Sequence, residues 1–209
     1  MKKVAIMLVC ALMVGLLGGC GSSFDASAYM QAILDNSYKN DSSQLVSQKV
    51  GTAEEAEELY NQGVDLQVDA LLLGTNPTDA QKEEYRQIVK DILKAAKYTV
   101  GEAEKQEDNS YVVTITYEKM NIFSPAMEDF YARSEDQNEV WMESEEAITQ
   151  DEIFAWSLET MKESLKSALA NVTYEAPEEM TVRVELNDRT YSPNTSDIEK
   201  LSNALFDNY

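Results

Sequence analysis

The densest run of side chains able to do chemistry lies between residues 135 and 146, where Glu135, Asp136, Asn138, Glu139, Glu143, Glu145 and Glu146 surround Val140-Trp141-Met142. Oxygen ligands at such density are what a calcium ion takes. Asp136-Gln137-Asn138 begins as a calcium loop begins, which makes Asp136, Asn138 and Glu143 the candidate ligands. The glycine that turns such a loop is missing, and Val140 stands where a ligand belongs. The run therefore reads as a solvated acidic loop with no metal, and no other cofactor is implied. Paired carboxylates can hydrolyse glycosides when two acids stand ~5–9.5 Å apart, but among 38 acids no pair is marked out by its setting. Ser164-Leu165-Lys166 and Ser47-Gln48-Lys49 offer a serine beside a lysine, neither at a convincing helix start. There is no histidine anywhere, which excludes histidine triads, histidine acid–base work and histidine-ligated metals. The expectation is a protein that is not an enzyme.

Aromatic side chains are the other candidates. Trp141 and Trp156 are the only tryptophans. Trp141 stands among charges and is a candidate contact for a ligand or partner; the alternative is that each tryptophan caps the core under a loop. Most of the eleven tyrosines fall on apolar stripes and belong to packing. Tyr191, between Arg189 and Pro193, does not. It is the second candidate ligand contact, or else it packs the final helix against the sheet.

The N-terminus carries a different kind of signal. Lys2 and Lys3 precede Val4 to Leu17, an uncharged, mostly apolar stretch. It is shorter than the ~20 residues that span a bilayer, and fits the hydrophobic part of a secretion signal. Leu17-Gly18-Gly19-Cys20 resembles the lipobox of bacterial lipoproteins. That resemblance implies a diacylglyceryl group on the Cys20 sulfur and cleavage before Cys20. Two acyl chains, at ~0.8 kcal/mol per buried methylene, hold a protein on a membrane where one does not. The resulting organisation is a signal peptide over 1–19, a lipidated cysteine and short tether over 20–24, and one globular domain over 25–209.

Removing residues 1–19 leaves 190 residues and takes the formal net charge from −21 to −23, because Lys2 and Lys3 go with the signal. Cys20 is then the only cysteine, so the domain has no disulfide to rely on. So negative a chain is a poor partner for nucleic acid, whose binding rests on phosphate neutralisation, and for anionic lipid. Acidity serves solubility, and leaves basic partners open.

The elements that would position these residues are marked by their caps. Asp25 starts a helix to about Lys39. Thr52-x-x-Glu55, Thr78-x-x-Gln81, Thr149-x-x-Glu152 and Ser196-x-x-Glu199 read as capping boxes. Ser124-Pro125 reads as an N-cap followed by proline in the first turn. Gly74, with Pro77 beyond, reads as a helix stop. Tyr98 to Ala103 and Ser110 to Glu118 flank a turn-prone stretch, with Tyr111, Val113, Ile115 and Tyr117 on one face. A second hairpin is expected from Val172–Glu175 and Met180–Leu186 around Pro177. The fold class that follows is α+β: helices on one face of a small antiparallel sheet built from two hairpins, each preceded by a helix.

Phe24-Asp25-Ala26-Ser27-Ala28-Tyr29 and the helix Glu54 to Asp65 are similar to segments of uncharacterised lipoproteins of Gram-positive, Clostridia-like bacteria. The resemblance implies a location, the extracytoplasmic face of a cell membrane, and carries no functional residue. The expected role is a non-catalytic, membrane-anchored binding or scaffolding domain, with a cell-surface protein or a small molecule as the partner. A small-molecule ligand in a pocket between helices and sheet is the alternative, and a carboxylate hydrolase a lesser one.

Overall fold

The computed structural model describes residues 24–145, 147–187 and 190–207. Seven helices and six strands follow one another among them: α1 (Ala26–Lys39), α2 (Ser43–Ser47), α3 (Ala53–Leu71), α4 (Asp79–Lys94), β1 (Lys97–Lys105), β2 (Tyr111–Glu118), β3 (Met120–Asn121), α5 (Phe123–Glu143), α6 (Gln150–Ala170), β4 (Thr173–Tyr174), β5 (Glu178–Asn187), β6 (Thr190–Pro193) and α7 (Thr195–Leu205). The class is α+β, as the capping and alternation signals require.

Local chemistry explains where the helices start. Asp25 accepts from the Ala28 N–H. The boxes at Thr52, Thr78 and Thr149 are complete, each hydroxyl accepting from the third helical N–H while the Glu or Gln there accepts from the cap N–H. Gly74 takes a φ of +85° that favours glycine, three residues beyond the end of α3. The fourth box does not form. Asn194 caps α7 instead, its side chain accepting from Asp197, so Ser196 lies inside the helix.

Four strands make one antiparallel sheet in the order β1-β2-β5-β6. Val113 faces Val182 and Ile115 faces Met180 across the β2–β5 pairing, and the buried face runs through Val113, Ile115, Val182 and Val184. Helices α1 and α7 cover this face, with α3 and α4 packed on α1. Tyr38 of α1 and Ser202 of α7 share a buried hydroxyl–hydroxyl bond of 3.1 Å. In β1 the register shifts between Val100 and Ala103, and the Ser27 hydroxyl donates to the Gly101 carbonyl at 2.8 Å.

The sheet is built from two hairpins, but the second is not the expected one. Thr173–Tyr174 pairs with Met120–Asn121 as a separate ribbon, and β5 turns back on β6. The partner strand β6 is Thr190-Tyr191-Ser192-Pro193. As an edge strand it tolerates Pro193, whose missing donor faces no neighbour. The helix-then-hairpin repeat therefore holds for α4–β1–β2 and is interrupted after α6 by β4.

The start of α5 also differs from expectation. Its helical residues begin at Phe123, so Ser124 and Pro125 sit within the first turn and Ser124 is not the cap. The orphan donors are met from far along the chain. Asp207 accepts from the N–H groups of Ile122, Phe123 and Ser124 at 2.9, 2.8 and 2.6 Å. A buried carboxylate in front of a helix N-terminus satisfies both the open N–H groups and the positive end of the dipole.

Candidate functional site

The acidic run expected as a loop is helical through Glu143 and forms the far half of α5. It packs along α6, and the two make an antiparallel arm. Of the 21 residues of α5 only Ala126 is buried. In α6 the first buried residue is Leu158, two turns in. Beyond those points the arm is held together by its own side chains. Trp141 meets Trp156 edge-on at 5.5 Å, and Phe130 lies 6.2 Å from Trp156. Arg133 reaches across from α5 to Glu163 at 2.6 Å, and the buried Ser164 hydroxyl donates to Asp129 at 2.6 Å. The two tryptophans thus pair with one another, half-buried, rather than capping the main core under loops.

Near the tip the arm exposes apolar surface. Met142 is 87% exposed and Val140 60%. Arg133, Asp136, Gln137, Val140 and Trp156 line a shallow, open groove of about 240 Å³. Beyond Arg133 every charged residue of α5 is acidic. Glu135, Glu139 and Glu143 follow at i, i+4 spacing, an arrangement that costs a helix ~0.2–0.5 kcal/mol per like-charged pair. The last turn of α5 carries no basic residue, so Glu143 also faces the negative end of the helix dipole. The arm tolerates charge that its own structure does not offset.

The other sequence candidates are scattered. Cys20 lies outside the described residues. Asp136 and Asn138 are two residues apart on a helix and point to opposite sides, so they cannot converge on one ion as loop ligands do. Among the described residues no group of three or more acidic or thiol side chains is placed to hold a metal. Ser47 donates to the Gln44 carbonyl, and Ser164 to Asp129, so neither serine turns its hydroxyl to the neighbouring lysine. Burial lifts Asp35 and Asp197, but hydrogen bonds from Lys39, Gln31 and Tyr98, and from Arg183 and Lys200, outweigh it and hold both below the ordinary carboxylate range. Hydrogen bonding from Lys162 does the same for Glu84.

Tyr191 is a packing residue at the other end of the molecule, and its partner is the N-terminal segment rather than the final helix. Its ring stacks on Phe24 at 3.9 Å with planes 4° apart, and Tyr111 meets both edge-on. Beneath them the Tyr29 hydroxyl donates to the Tyr191 carbonyl at 3.0 Å, and burial pushes Tyr29 up to about 12. Buried Tyr29, Met30, Ile33 and Tyr38 of α1 belong to one apolar cluster with Val113, Ile115 and Val182 of the sheet.

Comparison with known proteins now has a fold to stand on. No protein-family model and no curated protein matches the chain. The fold is similar to the crystal structure of YcdA from Bacillus subtilis, a protein classed as a lipoprotein. The TM-score is 0.57 at 13% identity, over 88% of this chain and 56% of YcdA. The chain thus spans little more than half of YcdA's length. No helix among the described residues is long and apolar enough to cross a membrane.

What sequence reasoning missed here is the arm. Its signal was present: glutamate is a good helix former, and Val140 and Met142 stand in a run of acids with no basic residue from 134 to 161.

Proposed function

We propose that this chain is a lipid-anchored, extracytoplasmic binding domain without catalytic activity, and that it engages a cell-surface protein through the tip of the α5–α6 arm. The observation that carries the binding surface is the burial of Ala126 alone along the 21 residues of α5, with Val140 and Met142 left exposed at its far end. A helix whose stability comes from packing does not ordinarily leave so much of its length outside the core. Apolar side chains left exposed on an element that lies outside the core are candidates for an interaction surface. Leu17-Gly18-Gly19-Cys20 supports the anchor, and the similarity in fold to a protein classed as a lipoprotein agrees with it.

The test uses the full chain in a Gram-positive host, with a photo-crosslinking side chain at Met142 or, for comparison, at Leu66, which is 53% exposed on α3. A discrete cross-linked product from position 142 and none from 66 is the expected result. No product at 142, or the same products at both, contradicts the surface assignment. Anchoring is read separately: Cys20→Ala is expected to move the protein from the membrane fraction to the medium, and retention on the membrane contradicts lipidation.

A further inference from the structure

Resting on Cys20 as the lipid anchor, we infer that the domain stands on the bilayer by one end of its sheet, the end formed by the β1–β2 turn and Tyr191 of β6. An aromatic clasp fixes where the chain enters the fold. Phe24 stacks on Tyr191 at 3.9 Å, and Tyr111 meets both rings edge-on. The Tyr191 hydroxyl donates to the Asn109 carbonyl of the β1–β2 turn at 3.3 Å, and the Tyr29 hydroxyl donates to the Tyr191 carbonyl at 3.0 Å. The first turn of α1, the turn before β2 and the edge strand β6 are thereby tied together around Phe24. Cys20 precedes Phe24 by four residues, a reach of at most about 14 Å even when fully extended. From Tyr111 the strand β2 runs to Glu118, about 23 Å away at ~3.3 Å per residue. Such a tether keeps the turn end beside the headgroups, and brings the Glu118 end there only if the domain lies on its side.

Charge opposes lying flat. The chain has 38 acidic against 17 basic residues, and an anionic leaflet repels such a body over a screening length of about 8 Å at physiological salt. The posture of least contact, on the tethered end, is the one that repulsion leaves. The turn Gln106-Glu107-Asp108-Asn109 is exposed and wholly polar, so it has no apolar side chain to insert. The acyl chains make the attachment, and the clasp sets its direction. One consequence concerns the arm. Helix α5 begins at Phe123, five residues beyond Glu118, so its first turn and the Asp207 contact lie at the end of the sheet turned away from the bilayer.

The test uses the full chain, made in a host that acylates it and reconstituted into vesicles of phosphatidylethanolamine and phosphatidylglycerol, a fraction of them spin-labelled at the headgroup. Acylation occupies Cys20, the only cysteine after residue 19, so an introduced cysteine is the single free thiol for a fluorophore. Glu107→Cys lies in the β1–β2 turn, and Glu175→Cys lies beside Lys119 past the far end of β2; both positions are exposed. The headgroup label is expected to quench the fluorophore at 107 severalfold more than at 175. An insert of about 20 Gly and Ser residues between Ser23 and Phe24, spanning roughly 25 Å on average, is expected to lower quenching at 107 to the level at 175. Equal quenching at the two positions with the native tether, or stronger quenching at 175, overturns the inference. So does quenching at 107 that survives the longer tether, since the turn itself would then adhere to lipid. The anchor is read separately by mass spectrometry of the N-terminal peptide. A peptide without acyl chains overturns the anchor and the orientation together, whereas an acylated peptide with equal quenching overturns the orientation alone.

Discussion

Helices α3 and α5 are nearly the same length, 19 and 21 residues, and do opposite things with it. Helix α3 buries Ala56, Tyr60, Gly63, Val64, Gln67 and Val68, and opens on a complete capping box. Helix α5 buries Ala126, has no local cap, and borrows its N-terminal acceptor from Asp207. The body is thus built by local signals that agree with burial. The arm is held by long-range polar contacts and a few aromatic pairs, and spends its surface on exposed charge and apolar side chains. The two regions should therefore respond differently to substitution.

The largest effect is expected in the body. Leu93, fully buried on α4, should cost about 3 kcal/mol when replaced by alanine, because the cavity left in a packed core adds to the lost transfer energy. Urea unfolding checks this. Next comes the joint between body and arm. Asp207→Ala strips three N–H groups of their acceptor and should cost about 2 kcal/mol, a lost cap together with a buried donor left unmatched. Hydrogen exchange should speed up at Ile122, Phe123 and Ser124 in particular, while the amides of β2 keep their protection. A uniform loss of protection would mean that arm and body unfold as one unit, and would collapse the distinction.

A third effect depends on pH. Asp197 is nearly buried between Arg183 and Lys200, at 2.9 and 3.1 Å, and its native pKa lies below the ordinary carboxylate value. A carboxylate with a depressed native pKa binds its proton more readily when unfolded. Its contribution is therefore complete above about pH 4, and is lost as pH falls through the lower native value. Asp197→Asn should flatten the decline in melting temperature below about pH 4, measured against the unsubstituted chain; an unchanged acid limb would remove Asp197 from that role. The smallest effect belongs to the arm tip. Met142→Ser should change global stability by less than about 0.5 kcal/mol, and a loss comparable to that of Leu93→Ala would show that the tip is packed after all.

The body was legible where chemistry and neighbour lie close in sequence. Thr52 and Thr78 each find their partner three residues on, as Thr149 does at the start of the arm's α6, and Tyr111, Val113, Ile115 and Tyr117 alternate visibly. The arm was hidden for two reasons. Its acids read as solvated loop, although glutamates at four-residue spacing suit a helix in composition while opposing it in charge. Its N-cap is supplied from 83 to 85 residues away, beyond any local pattern. Tyr191 was noticed as lying off the apolar stripes, but its partner Phe24 sits at the other end of the chain, and only the folded sheet edge brings the rings together. Candidate ligands at Asp136 and Asn138 were recognised by type and misplaced by geometry, since a helix separates what a loop would gather.

The Asp207 contact has a further consequence for how the chain comes into being. A polypeptide exported or synthesised from its N-terminus delivers α5 well before the carboxylate that completes its first turn. During that interval the helix has three open donors and little core to lean on, whereas α3 and α4 arrive with their caps already inside their own segments. The order of emergence therefore ties the completion of α5 to the last segment of the chain, with the residue two beyond α7 acting as the latch.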